Sequence, residues 1–257
     1  MSDAPILSEF PSQSRVDATP ETREVHLWSV DLHPDAKAVA AFRKLLTSQE
    51  IERAERFKFD RHRRRFIVRR GALRRLMGAY LEQDPAAVRF EEGEKGKPFV
   101  PQPEAPPAQM LHFNLTDSKD LAVYAITRGA ELGVDVEILR PMPDALSIAE
   151  HFFAADERED LRGVPETERS AAFFNCWTRK EAYIKAIGEG LSEPLDRFCV
   201  TLKPEQPARF IHLGGDSRRA RDWSLYHMLP EPGAVGALAL EGPGWRVTRC
   251  YRYAFQD

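Results

Sequence analysis

The segment Gly133-Val134-Asp135-Val136-Glu137 places two carboxylates two residues apart between apolar neighbours. On a strand, side chains at that spacing face the same way. Asp135 and Glu137 would then stand about 6.5–7 Å apart along one face, with Val134 and Val136 turned into a core. Such a pair suits a hard divalent cation such as Mg²⁺. The plain alternative is a half-exposed strand with two solvated acids. A second pattern is Trp177-Thr178-Arg179-Lys180-Glu181-Ala182-Tyr183-Ile184-Lys185. On a helix, Trp177, Glu181 and Lys185 share a face at i, i+4 and i+8. Glu181 could complete a metal site, with a lysine beside it, Lys185, to meet phosphate. The plain alternative is an exposed Glu–Lys pair worth about 0.2–0.5 kcal/mol. Two weaker signals are Lys97-Pro98 after a glycine turn and His112-Phe113-Asn114-Leu115-Thr116-Asp117-Ser118, whose hydroxyls and turn amides can hold phosphate oxygens.

Elements must bring these segments together. Residues 25–30 read as a first strand. Thr47 and Glu50 have capping-box spacing, so a helix starts there. Asp60 is expected to cap a second helix that ends at 83–85. Phe66, Leu73, Leu76, Met77, Tyr80 and Leu81 follow its apolar face, and Arg61, Arg65 and Arg69 form a stripe along it. Residues 93–98 form a glycine turn and 101–109 a loop. Residues 111–115 and 121–126 read as a hairpin, 132–138 as a strand, and 168–187 as a helix stopped by Gly188. Strands are expected at 223–228, 234–240 and 245–255. Residues 112–127 and 224–240 echo each other, a hint of duplication. The class is α+β: two pseudo-symmetric halves, each a small, mostly antiparallel sheet packed on a long helix. The expected division is a loose arm over 1–22, an N-terminal half over 23–131 and a C-terminal half over 132–257.

The chain has 257 residues, 42% of them apolar and 30% charged, which fits a soluble protein with a full core. No apolar run approaches the about 20 residues that span a bilayer. The first residues lack the basic start and apolar centre of a secretory signal. Cys176, Cys199 and Cys250 are odd in number and lack paired metal spacing, which fits buried reduced thiols in a cytoplasmic protein. The net charge of −3 hides an asymmetry: residues 50–75 carry +7 and the remainder −10. A basic patch on an acidic chain implies a specific anionic partner, namely a phosphorylated small molecule, an acidic protein or nucleic acid. The acidic balance elsewhere opposes a broad nucleic-acid track.

In order, the basic helix, GKP, HFNLTDS, GVDVE, FF-x₃-E and WTRKEAYIKAIGEGLSEPLD resemble the 4′-phosphopantetheinyl transferases, in particular the single-chain, surfactin-synthetase type with two pseudo-repeated halves. The likeness runs from about Thr47 to Val200. It implies an enzyme that moves 4′-phosphopantetheine from coenzyme A to a serine of an apo acyl or peptidyl carrier protein. The carriers of fatty-acid, polyketide and peptide synthases share that serine chemistry. It implies Mg²⁺ on Asp135, Glu137 and Glu181, and Lys185 near the phosphates. Glu181 would also stand near the serine proton, although one carboxylate does not easily serve as tight ligand and free base together. Arg65, with Arg53 also a match, is implied for the 3′-phosphate, where a guanidinium fork suits phosphate. Lys97 and Pro98 are implied beside the adenine. Thr116, Asp117, Ser118 and Lys180 complete the implied coenzyme A contacts. A monomer follows, because both halves of the site come from one chain.

One position departs from the family pattern. The family reads F-N-x-S-H-S with a histidine on phosphate; this chain has Asp117 there. An anion beside phosphates repels them. Asp117 would therefore turn away, bind the metal or bind an arginine, or the protein would be a weak or inactive binder of coenzyme A or carrier.

Overall fold

The computed structural model describes residues 5–190 and 193–255. In chain order the strands and helices are β1 (Ser12–Gln13), β2 (Glu24–Asp31), α1 (Ala36–Arg43), α2 (Ser48–Glu55), α3 (Asp60–Tyr80), β3 (Glu91–Glu92), β4 (Pro98–Phe99), β5 (Leu111–Ser118), β6 (Leu121–Arg128), β7 (Leu132–Ile138), α4 (Ala145–Phe152), α5 (Ala155–Gly163), α6 (Glu166–Ile187), β8 (Phe198–Val200), β9 (Phe210–Leu213), β10 (Trp223–Met228), β11 (Ala234–Glu241) and β12 (Arg246–Tyr253).

Alternation along the strands builds four layers, helix, sheet, sheet, helix. Trp28, Val30, Ala122, Tyr124 and Ile126 face α3 from a five-stranded sheet ordered β1-β12-β2-β6-β5. Their odd-numbered neighbours Leu27, Leu121, Val123 and Ala125 face the opposite way. There they meet Leu132, Val134, Val136, Leu238 and Leu240 of a second sheet ordered β10-β11-β7. The outer face of that sheet, Val235, Ala237 and Ala239, packs on α6. Each half is thus a sheet covered by one long helix, and the two sheets share a core.

Most boundaries follow the local chemistry. Thr47 and Glu50 form the capping box of α2, and α6 ends at Gly188 in a left-handed conformation. Asp60 is not the cap of α3: Phe59 precedes the helix and Asp60 lies in its first turn, where a carboxylate meets the helix dipole. That helix stops at Tyr80, short of residues 83–85.

Two differences concern chain order. The segment read as a loose arm is docked along two strands: Leu7 exchanges main-chain hydrogen bonds with the β10 end (Leu7 N to His227 O 2.9 Å, Leu229 N to Leu7 O 2.8 Å), and β1 pairs with β12. The last strand, assigned by chain order to the half 132–257, crosses back. It lies parallel to β2, between β2 and β1, in the N-terminal sheet. An apolar alternation marks a strand but not its partner, so sequence order placed it with its neighbours.

Candidate active site

The site forms where two edge strands meet. β5 and β7 belong to different sheets, and β5 side chains bridge them. Asn114, Thr116 and Ser118 share one face of β5 by period-two alternation. Asn114 Oδ1 accepts the Val134 amide at 3.0 Å, and Ser118 Oγ accepts the Ile138 amide at 3.2 Å. Between them, Thr116 Oγ1 donates to Asp135 Oδ1 at 2.9 Å. Ser118 Oγ donates to Glu137 Oε2 at 2.7 Å.

Helix α6 supplies the other wall, and Gly133 sets its distance. A Cβ at Gly133 would lie 2.8 Å from the Lys185 carbonyl carbon and closer still to Ala182 O and Ala186 N. Only a residue without a Cβ lets the helix backbone rest on the strand there. The contact falls within the turn that carries Glu181 and Lys185. Lys185 Nζ donates to Asp135 Oδ1 at 2.6 Å and to Thr116 Oγ1 at 3.1 Å.

The electrostatics follow from this crowding. Burial raises the Asp135 pKa and the Glu137 charge adds to it, against Lys185 and Thr116. Burial raises Glu181 as well, then Asp135 and Glu137 raise it further, against Lys185. Three carboxylates therefore sense one another with one ammonium among them. Among the described residues the Glu181 carboxylate has no hydrogen-bond or ion-pair partner. A divalent cation would relieve that repulsion, and the donor set is the hard-oxygen type Mg²⁺ prefers. The carboxylate oxygens do not all fall within 4.8 Å of one another, because Lys185 and Thr116 hold Asp135, and Ser118 and Arg140 (3.1 Å) hold Glu137. Mg²⁺ fills its shell with few carboxylates together with phosphate oxygens and water, so the donor chemistry fits it, and Asp135 and Glu137 would have to exchange their present partners for the ion.

The anion-binding residues expected from the sequence divide. Asp117 forms an ion pair with Arg69, and Asp120 one with Arg65 at 2.7 Å. The arginine stripe of α3 thus runs along the turn between β5 and β6, and of the outcomes open to Asp117 the structure has the arginine pair. Arg53 lies over the Phe66 ring, 5.5 Å from its centroid, with no contact to the carboxylates. Lys97 Nζ is committed to the seam, to Glu131 (2.6 Å), Leu132 O (3.0 Å) and Ala186 O (3.3 Å). Leu132 is three residues before Asp135, about 10 Å along the strand. Pro98 lines a shallow cleft beside Phe99, Met110 and His112.

Lys180 is a correction. It was expected beside coenzyme A, yet it is fully buried on another side of α6. Its Nζ pairs with Glu157 at 2.8 Å and donates to Leu195 O and Phe198 O. One residue of helix is about 100° of rotation, so Lys180 cannot share the Glu181 face. Arg179 is buried too, on Thr201 O and Oγ1, and Trp177 stacks on Phe173. Half of this motif is structural. The sequence reading also missed Asn114 as a seam residue, although its period-two spacing to Thr116 and Ser118 carried the signal.

Two family descriptions match the chain: "4'-phosphopantetheinyl transferase superfamily" over residues 131–237 and "4'-phosphopantetheinyl transferase, N-terminal" over residues 31–128. The 4′-phosphopantetheinyl transferase HetI of Nostoc sp. (strain PCC 7120) is 38% identical over 223 residues, 87% of this chain and 90% of its own length. The 4′-phosphopantetheinyl transferase Sfp of Bacillus subtilis (strain 168) is 31% identical over 162 residues, 63% of this chain and 68% of its own. The solved holo-[acyl-carrier-protein] synthase of Thermotoga maritima aligns at 19% identity and a TM-score of 0.34, over 44% of this chain and 64% of that one.

Proposed function

The chain belongs to the 4′-phosphopantetheinyl transferase family, and from that premise we propose that it transfers 4′-phosphopantetheine from coenzyme A to the serine hydroxyl of an apo carrier protein, with Mg²⁺. The observation that carries this reading is the meeting of Asp135 and Glu137 from β7 with Glu181 and Lys185 from α6 at one seam. In the transfer, the serine oxygen forms a bond to the β-phosphorus of coenzyme A. The bond from that phosphorus to the bridging pyrophosphate oxygen breaks, and adenosine 3′,5′-bisphosphate leaves. Asp135, Glu137 and Glu181 would hold Mg²⁺, which neutralises charge on the pyrophosphate.

The remaining work falls to side chains. Lys185 can leave Asp135 for a leaving phosphate oxygen, to which it offers a positive donor. Glu181 has a raised pKa and a carboxylate without a hydrogen-bond partner, so it is open to either of two roles, metal ligand or acceptor of the serine proton, and one carboxylate does not easily serve both. Arg65 and Arg69 can exchange Asp120 and Asp117 for the nucleotide phosphate. The chain would be of the single-chain, two-repeat type and cytoplasmic, and a monomer because one chain supplies every group at the seam.

Intact-mass spectrometry of an apo carrier mixed with this protein, coenzyme A and Mg²⁺ tests the proposal. A gain of one phosphopantetheine mass, lost on chelation and in Asp135→Ala or Glu181→Gln, is expected. Coenzyme A binding without any gain on several carriers would sink the transfer reading in favour of a binder. Unchanged turnover in either variant would sink the site assignment.

A further inference from the structure

We infer that Asp156, Cys199 and His212 form a second cation site, for a divalent ion of the zinc class, on the β8–β9 ribbon. Their ligating atoms all lie within 4.8 Å of one another, and no other group of three His, Cys, Asp or Glu does so among the described residues. Cys199 and His212 are direct cross-strand partners in antiparallel register, so their side chains leave the same face of the ribbon. Phe198 and Val200 enter the core around α6, whereas Cys199 between them joins none of the three hydrophobic clusters. It is nevertheless buried, 4% exposed.

Asp156 is held against this pair by its neighbour. Glu157 Oε2 accepts the Ala154 amide at 2.8 Å, its Oε1 accepts the Val200 amide at 2.7 Å, and Lys180 pairs with it. The first turn of α5 is thereby fastened to β8, with Asp156 above Cys199.

The donor set is thiolate, imidazole and carboxylate, which selects zinc-class ions and not Mg²⁺. Binding would form metal–sulfur, metal–nitrogen and metal–oxygen bonds and release the Cys199 proton to solvent. The Gly215 amide donates to His212 Nδ1 at 3.3 Å. The ion takes Nδ1 in place of that long bond, or Nε2 with the ring proton moved to Nδ1. Asp156 is exposed, so the fourth position opens to water. The ion would clip α5 to the ribbon, independently of the carboxylates on β7.

The test uses the full chain, reduced, metal-stripped and free of any affinity tag, titrated with Co²⁺ and then Zn²⁺. The expected result is one equivalent of Co²⁺ with a thiolate-to-cobalt charge-transfer band, displaced by Zn²⁺ and indifferent to excess Mg²⁺. Cys199→Ser should abolish the band. His212→Ala and Asp156→Asn should weaken binding by more than the about 10–100-fold typical of losing an outer-shell partner. Glu181→Gln should bind as wild type, which separates this site from the carboxylates at the seam. Absence of the band in excess Co²⁺, or wild-type affinity in any of the three ligand variants, overturns the inference. If His212→Ala does not fold, the exposed Asp156→Asn still decides.

Discussion

Replacing Gly133 with alanine adds one methyl group where α6 crosses β7. That methyl would lie 2.8 Å from the Lys185 carbonyl carbon, whereas carbon atoms rest about 3.5–4.0 Å apart. Ala182 O and Ala186 N would lie closer still, so the helix or the strand must move by at least about 1 Å. β7 is the less able to yield, because it pairs with β11 along its whole length and its far face carries buried Val134 and Val136. The motion falls on α6, in the turn between Glu181 and Lys185. A displacement of that size can lower turnover about 100-fold. Overpacking costs about 1–3 kcal/mol, or roughly 2–12 °C in Tm. Carrier modification, followed by mass, and thermal unfolding read the two effects on the same protein. Gly163→Ala is the control, since a Cβ there meets nothing within 4 Å. If Gly133→Ala keeps wild-type turnover, with or without a loss of Tm, α6 repacks without moving its acids and the positioning argument is refuted.

Three further outcomes are expected. Asp117→His frees Arg69 and removes an anion, so transfer should hold or rise; a loss beyond about tenfold, 1.36 kcal/mol in the barrier, would give Asp117 a working role. Lys180→Met leaves buried Glu157 without its cation and should cost about 3–5 kcal/mol in urea unfolding, with KM for coenzyme A unchanged in the folded protein; a raised KM at full stability would return Lys180 to the coenzyme. Burial raises the Glu50 carboxyl, but hydrogen bonds from Arg74 and Arg70 outweigh it and hold it below its ordinary 4.5. A depressed carboxyl stabilises above its unfolded value and loses that effect as acid titrates it. Glu50→Gln should therefore cost about 1–3 kcal/mol near neutral pH, with the gap to wild type closing below pH 4.5. A gap that widens in acid would contradict the assignment.

Much of the architecture was legible because it is local. Period-two alternation gave β7 its bounds, a capping box opened α2 and a glycine closed α6. The α6 face bearing Glu181 and Lys185 followed from helical spacing. What escaped depends on contacts distant in sequence. Lys180 reads like a surface lysine until Glu157, 23 positions earlier, is seen against it. Asp117 reads as an anion facing phosphate until Arg69 is seen beside it. Asn114 reads as a strand polar residue until β7 arrives from the other sheet with an unpaired amide. No window of neighbouring residues contains those partners.

The docked segment before β2 has a consequence for handling the protein. Leu7 lies along β10, the outer strand of one sheet, and β1 lies along β12, next to the margin of the other. A bare outer strand offers its amides and carbonyls to any other chain, the usual route to end-to-end stacking and fibres. A truncation or bulky fusion that pulls residues 5–13 away would strip both margins at once. Such preparations should self-associate with concentration, although every group at the seam stays in place.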